Sequence, residues 1–329
     1  FNIPKKIARI RTPNINKFSE KLRKDLFYID LMIDPAQLVT QRLFRTIEHP
    51  GTFIVLDLIE NTTQVSSIKI DYSCAVIDQS IEEVQSLLSE VPHKLICIVR
   101  NNKIIDINKT TRLLVHDEIY FCCQKKYINQ ISNKVYGKEL KFKRIMIGGA
   151  GNIGLKLAKN IQDDHKVKII DHNQNQITFA AEQLSNAIVL KGDTSDSDLL
   201  NSENIDEVDL FCALTNDDEN NIMSAIIAKR LGAKHTIALV NKQTYIHYLI
   251  DRSSDINIAI SPRLITCSGI LKYLRSEAFA NDYILPEAVA EVVEIVIYEN
   301  ESSALIIGKK ISELNIPQGC IICCVSTQA

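Results

Sequence analysis

The stretch Arg144-Ile-Met-Ile-Gly-Gly-Ala-Gly-Asn-Ile-Gly154 constrains this chain more than any other feature of its sequence. Arg144 to Ile147 is a short apolar run, after which Gly149, Gly151 and Gly154 fall in the spacing G-x-G-x-x-G. Leu155, Leu157, Ala158 and Ile161 then continue on a helical stripe. A strand, a glycine turn and a helix start are thus written in succession. The first glycine allows the tight turn, the second lets a pyrophosphate approach the backbone, and the third lets helix pack closely on strand. The helix start supplies unpaired N–H groups and a partial positive charge. Gly149, Ala150, Gly151, Asn152, Ile153 and Gly154 are therefore the candidate phosphate loop.

A second apolar run, Val167-Lys-Ile-Ile170, ends in Asp171, which lies 17 residues beyond Gly154. An acid at about 20 residues from the loop accepts the ribose hydroxyl pair and repels a 2′-phosphate. That favours NAD or another adenosine nucleotide over NADP. The competing role for Asp171 is a plain helix cap, which the strand and the glycines upstream make the weaker reading. Further strands are expected at Ala187–Leu190, Val208–Leu214, Thr236–Val240 and Ile256–Ile260, and a helix from Ile222 stops at Gly232. Apolar strands alternating with helices predict an α/β fold with a doubly wound parallel sheet. Ligands bind at the carboxyl ends of such strands, which places Asp193, Thr215 and Asn216 at the site. Thr215 and Asn216 are equally well placed to cap the helix that follows.

The chain also repeats itself. Ile29-Asp-Leu-Met-Ile-Asp-Pro35 matches Ile256-Asn-Ile-Ala-Ile-Ser-Pro262 at an offset of 227, and Ile7 to Arg11 lies over Ile237 to Asn241 at 230. Downstream, Ile54–Asn61 resembles Val293–Asn300, and Val91–Cys97 resembles Ile316–Ile322. One long module therefore occurs twice, and the offset carries the first glycine loop to before residue 1, so the sequence reads as a fragment truncated at both ends. The repeat divides the chain into residues 1–50, the end of a first nucleotide domain; 51–131, a small strand-rich domain; 132–142, a linker; 143–276, a second nucleotide domain; and 277–329, part of a second small domain. The helices entered at Pro35 and Pro262 carry apolar stripes, Leu38, Val39, Leu43, Phe44 and Ile47 in one and Leu264, Ile265, Ile270, Leu271 and Leu274 in the other. Such stripes face a core or cross to a partner domain.

In Ile7-Ala-Arg-Ile-Arg11, the glycine loop, Gly192-Asp193, Leu214-Thr-Asn-Asp-Asp-Glu-Asn220 and Ile260-Ser-Pro262 the chain resembles the TrkA-type regulatory subunits of bacterial Trk potassium uptake systems, built from tandem RCK (KTN) domains. The resemblance implies Rossmann-like RCK N domains with small α+β C domains, in a homo-oligomer, a dimer or tetrameric ring. It implies a cytoplasmic protein, peripheral on the inner face of the membrane through a potassium-transporting Trk-type subunit. It implies binding of NAD(H), or of ATP or ADP, at the loop, at Asp171, and at Thr215 and Asn216. Arg9 matches a nucleotide-contacting arginine of the first module, where the second has Leu239. Relatives that prefer ATP carry an arginine inside the glycine loop, and here that place holds Asn152, which tilts the second module toward NAD(H).

Composition excludes several other classes. A net charge of −2 leaves no basic face for nucleic acid. No apolar run approaches the roughly 20 residues that cross a bilayer. The nine cysteines sit mostly singly among aliphatic residues, Cys122-Cys123 and Cys323-Cys324 in apolar runs that read as strands, and Cys320-x-x-Cys323 lacks a second pair. They read as reduced core residues, with no metal site. The seven histidines show no ligand spacing, and His165, His172 and His235 read as surface residues near strand ends. The rival function is an NAD-dependent oxidoreductase, whose proton donor would be Lys242 or Tyr245, on a segment whose first-copy counterpart carries Asn14 and Asn16. Asp57 and Glu60 are a carboxylate pair in the small domain, but strand alternation sends them to different faces. No catalytic residue is expected.

Overall fold

The computed structural model describes residues 5–10, 28–58, 62–242, 244–245, 255–275, 281–285, 289–297 and 306–326. Asn14, Asn16 and Glu60 lie outside them. Two compact units are present, one within Phe1–Glu48 and Lys141–Ile270, the other within His49–Leu140 and Leu271–Ala329.

The first unit begins with β1 (Ile7–Arg9), β2 (Leu31–Ile33) and α1 (Pro35–Glu48). Its main sheet is built from parallel strands whose alternate residues feed two separate cores, because successive side chains point to opposite faces. Ile145 and Ile147 of β8 (Arg144–Gly148), Ile169 of β9 (Lys166–Asp171), Leu210 and Cys212 of β11 (Leu210–Ala213) and Ile237 and Leu239 of β12 (His235–Leu239) enter one core. Met146, Ile170, Phe211, Ala213 and Ala238 enter the other. With β10 (Ile188–Lys191) and β13 (Ile258–Ile260), the strand order is β10-β9-β8-β11-β12-β13. From β8 successive strands are added outward on one side as β9 and β10 and then on the other as β11, β12 and β13, so the switch point, where a crevice opens at the strand ends, lies between β8 and β11.

The repeat is visible in the register. Arg9 stands opposite Ile33 in the β1–β2 pair as Leu239 stands opposite Ile260 in β12–β13. Each second strand runs into a capped helix. Asp34 accepts from the Ala36 N–H at 3.0 Å ahead of α1, and Ser261 Oγ accepts from the Leu264 N–H at 3.3 Å ahead of α8 (Pro262–Arg275). Proline suits the first helical position of both, where its missing N–H costs nothing. Val39, Leu43 and Ile47 of α1 share the core of the main sheet with Leu155 and Ala158 of α4 (Asn152–Ile161). Lys156 of α4 also reaches Asp34 at 2.8 Å. The first-copy stripe thus crosses onto the second-copy sheet. On α8, by contrast, Leu264 and Leu274 are exposed.

Asp209, just ahead of β11, is nearly buried and accepts from the Lys143 N–H at 2.7 Å, the Arg144 N–H at 2.9 Å and Lys234 Nζ at 2.6 Å. Burial pushes its carboxyl up, but Lys234 and the two N–H groups outweigh that, and its pKa lies below the ordinary value. A lowered folded pKa contributes stability that is full above the unfolded carboxylate value of about 3.9 and is lost as pH falls through the folded one. Asp209→Asn is expected to lower stability at pH 7 and to flatten its fall below about pH 4, read by urea melts across pH. An unchanged acid slope would remove Asp209 from the groups that govern it.

The second unit holds an antiparallel sheet of β3 (Ile54–Leu58), β4 (Thr63–Lys69), β7 (Glu118–Gln124), β5 (His93–Arg100) and β6 (Lys103–Ile105), in the order β3-β4-β7-β5-β6. Helix α2 (Ile81–Leu87) starts at a capping box in which Ser80 and Glu83 bond each other's N–H. Lys125 to Lys143, whose polar, basic composition reads as a linker helix, holds α3 (Ile128–Tyr136), which puts Ile128, Ile131, Val135 and Tyr136 into this unit's core. Its polar residues cover only the outer face of an amphipathic helix. Asp57 accepts from Gln64 Nε2 at 2.5 Å. Asp117 is fully buried and takes Arg100 in a fork, at 2.6 and 2.7 Å. The second face of the sheet is covered by Leu285, Val289, Ala290, Val292 and Cys323. There β14 (Asn281–Ile284) pairs with β15 (Glu291–Glu294).

Cys323-Cys324, which read as part of a strand, lie in chain with no regular secondary structure. A strand needs a neighbour for its N–H and C=O groups, and among the described residues this segment has no ladder partner. Cys74, Cys97, Cys122, Cys123 and Cys212 are buried free thiols as expected, whereas Cys267, Cys320 and Cys324 are exposed. Of the three histidines, His172 is exposed, while His165 hands Nδ1 to the Phe142 carbonyl at 2.5 Å and His235 stacks edge-on against Phe142. Among the described residues no helix is long and apolar enough to cross a membrane, and no group of three or more His, Cys, Asp or Glu could hold a metal ion.

Candidate nucleotide site

At the end of β8 the chain turns through Gly149, whose φ of +106° is hard for any residue with a side chain. The turn is tied to its neighbours: Gly149 N–H donates to the Ile170 carbonyl and Leu214 N–H to the Gly148 carbonyl, both at 2.7 Å. Helix α4 follows directly, with Gly151 as its N-cap and no side chain bonded there. No acidic residue occupies its own first turn, so the N–H groups at the positive end of the helix are not capped by a side chain of the helix. A Cβ on Gly151 would meet nothing within 4 Å, whereas one on Gly154 would run into the Gly149 carbonyl. The two glycines therefore have different reasons. Gly154 permits helix and strand to touch, and Gly151 keeps an open approach to the backbone.

Asp171 closes the loop from the side. Its Oδ2 accepts from the Ala150 N–H and its Oδ1 from the Asn173 N–H, each at 2.8 Å. Each carboxylate oxygen accepts about two hydrogen bonds. Asp171 thus holds the glycine loop and retains acceptor capacity for a diol. His172 Nδ1 stands 3.7 Å from Oδ1. At the end of β10, Asp193 accepts from the N–H and the hydroxyl of Ser195, both at 2.8 Å. These bonds, the N–H first, hold its carboxyl below the usual range, with lesser help from Asn220 and His172.

Across the switch point, Thr215 does not cap the next helix. Its hydroxyl donates to Asn221 Oδ1 at 2.6 Å and its N–H to the same oxygen at 2.8 Å. The cap of α7 (Asp218–Arg230) is Asp217, which accepts from the Asn220 N–H, and Asn216 stays exposed. Asn221 was not singled out in the sequence, yet it is fully buried. Its Nδ2 donates to the Thr215 carbonyl at 3.0 Å and to the Leu239 carbonyl at 2.9 Å, so one amide ties together the ends of β11 and β12. Asp218 does the same one turn away, accepting from the N–H groups of Asn241 and Lys242 at 2.9 and 2.8 Å. The run of Asn and Asp after Leu214 was the signal for both, but nothing in it says which side chains turn inward.

The structure brings Gly149–Gly154, Asp171, Thr215 and Asn216 to the carboxyl ends of adjoining strands, with Asp193 at the end of β10. Arg9 stands apart, exposed at the end of β1 in the separate two-stranded sheet. Lys242 and Tyr245, the oxidoreductase candidates, both bond the Glu219 carboxylate, at 2.6 and 2.8 Å.

Residues 145–262, which hold this whole crevice, match the family model of the TrkA-N domain. The chain is 34% identical over 323 residues to the Trk system potassium uptake protein TrkA of Vibrio alginolyticus, covering 98% of this chain and 70% of that protein. It is 35% identical to the protein of the same name from Haemophilus influenzae, with the same coverage. The chain belongs to the TrkA family. Among solved structures, the GsuK channel matches with a TM-score of 0.56 at 16% identity, over 86% of this chain and 51% of the channel. The GsuK channel bound to NAD matches with a TM-score of 0.55 at 15% identity, over 82% and 47%. These likenesses establish the RCK-type fold, a Rossmann-like parallel sheet with a small α+β part. As a TrkA-family chain, this one carries the glycine fingerprint in the open form just described.

Proposed function

We propose that this chain is a nucleotide-sensing regulatory subunit, without catalytic activity, that gates potassium uptake through a membrane Trk-type transporting subunit. Its 34–35% identity to Trk system potassium uptake proteins, over 98% of this chain and 70% of theirs, carries the reading. In this reading NAD(H) is held in the second module by Gly149–Gly154, Asp171, Asp193, Thr215 and Asn216. The α4 N–H groups take the pyrophosphate, and Asp171 takes the ribose hydroxyls. Asn152 offers no cation for a γ-phosphate, so ATP and ADP are the weaker ligands. Arg9 would serve the first module's site. The four segments drawn from the repeat form two nucleotide-domain and small-domain copies, which assemble as a dimer or tetrameric ring on the inner face of the membrane. Occupancy changes the angle between nucleotide domains only through a difference in affinity for the two shapes. The alternative, an NAD-dependent oxidoreductase, is disfavoured because Lys242 and Tyr245 are held by Glu219 on an exposed surface.

Calorimetric titration with NADH, NAD, ATP and ADP tests this. NADH or NAD is expected to bind once per chain, with no turnover. Asp171→Ala is expected to lower the affinity by roughly 100-fold, as for loss of hydrogen bonds to a charged acceptor at about 1.5–3 kcal/mol each. If none of the four binds, nucleotide sensing in this module is wrong.

A further inference from the structure

An ion pair joins the two copies of the repeat inside the first unit. Asp34 Oδ1 accepts from the Ala36 N–H at 3.0 Å and the Gln37 N–H at 3.3 Å, which caps α1. Its Oδ2 accepts from Lys156 Nζ of α4 at 2.8 Å. One oxygen is thus committed to each copy. The Asp34 side chain is only 8% exposed and that of Lys156 29%. A carboxylate so enclosed needs its cation, because removing one partner leaves the other charge uncompensated.

Capping by itself does not call for a carboxylate here. The counterpart of Asp34 in the second copy, at the offset of 227, is Ser261, whose neutral hydroxyl caps α8. Serine and aspartate cap helices about equally well. What Asp34 adds is its grip on α4. Lys156 lies one turn beyond Asn152, the first residue of α4, whose N-cap Gly151 carries no capping side chain. Asp34 follows Ile33, which stands opposite Arg9 at the carboxyl ends of β1 and β2. Ligands of parallel sheets bind at such ends. The pair therefore spans from the phosphate-side helix of one copy to the strand ends of the other.

We propose that Asp34 and Lys156 form a latch that couples nucleotide occupancy of the second copy to the ligand end of the first. This rests on the reading of Gly149–Gly154 as the nucleotide loop. A pyrophosphate on the α4 N–H groups orders the first turn of that helix. Lys156 passes the ordering to Asp34, and Asp34 passes it to the first turn of α1 and the end of β2. Val39, Leu43 and Ile47 of α1 share a core with Leu155 and Ala158 of α4, but apolar contact is non-directional and lets helices slide. The ion pair fixes one atom of α1's cap against one atom of α4. Asp34 and Lys156 are positioning residues, acting through α4.

The test follows NADH binding to the whole chain by calorimetry, then reads amide hydrogen exchange by mass spectrometry with and without saturating NADH. NADH is expected to slow exchange in the first turn of α1 by at least about fivefold, the low end of usual coupling. Asp34→Ser, which installs the second copy's cap, and Lys156→Gln should each abolish that response while α4 stays protected. Because α1 opens only rarely, both variants should bind NADH within about threefold of the parent. The double variant should lose no more than either single one, since the same bond is broken in all three. An α1 response that survives in the variants, or none in a parent that binds NADH, overturns the latch alone. A parent that fails to bind NADH overturns the nucleotide reading, and the latch with it. Should one variant fail to fold, the other, on a different element, decides.

Discussion

Gly154→Ala is expected to destabilise the nucleotide domain by about 3 kcal/mol, a fall in Tm of roughly 6–12 °C for a domain of this size. The added methyl would run into the Gly149 carbonyl and approach Ile147, so α4 must lift from β8 or the loop must open. Both movements break the joint that supports the glycine loop. The informative partner is Gly151→Ala. At Gly151 the backbone is ordinary, with φ −69°, and an added Cβ meets nothing. That variant is expected to melt within about 2 °C of the parent while its NADH affinity falls at least tenfold, a loss of about 1.4 kcal/mol. Differential scanning calorimetry and NADH titration separate the two. If Gly154→Ala melts like the parent, helix and strand are not in contact there; if Gly151→Ala binds normally, the pyrophosphate does not cross Gly151.

Asn221→Leu is expected to be at least as costly, through polarity instead of volume. It strands the Thr215 N–H and the carbonyls of Thr215 and Leu239 inside the domain. Each buried polar group left unpaired costs about 1–3 kcal/mol, so a total loss near 4 kcal/mol is expected in denaturant melts. Asn216→Ala, at an exposed position in the same run, should leave stability unchanged to within about 0.5 kcal/mol. If the two variants melt alike, Asn221 does not tie β11 to β12.

The contrast between these asparagines marks the limit of what could be read in the string of letters. The glycine spacing, Asp171 and the alternation of apolar runs announced all six strands of the main sheet, because a buried parallel strand must be apolar on both faces. The repeat was equally legible, and the offsets of 230 and 227 reappear in the β1–β2 and β12–β13 registers. The small unit was harder. Its β4, with Gln64, Ser66 and Ser67 buried, carries too many polar residues to announce a central strand, and it exists because β3 and β7 supply its ladder on both sides. Helix α3 was legible as a helix within Lys125 to Lys143, but lysines and asparagines on its outer face made it read as a linker, and only the neighbouring core gives its apolar stripe a place.

By itself, then, the sequence determined the local rules: where a strand must be apolar, where only glycine can turn, where a carboxylate waits at a strand end. These depend on spacing and covalent geometry, which a chain carries wherever it goes. Tertiary structure decided the pairings: that Asp171 grips Ala150, that Asn221 and not Thr215 turns inward, that α1 packs beside α4, and that Arg100 forks onto the buried Asp117. Each joins residues or elements whose meeting is set by the packing of whole sheets and helices, and no local preference encodes that distance.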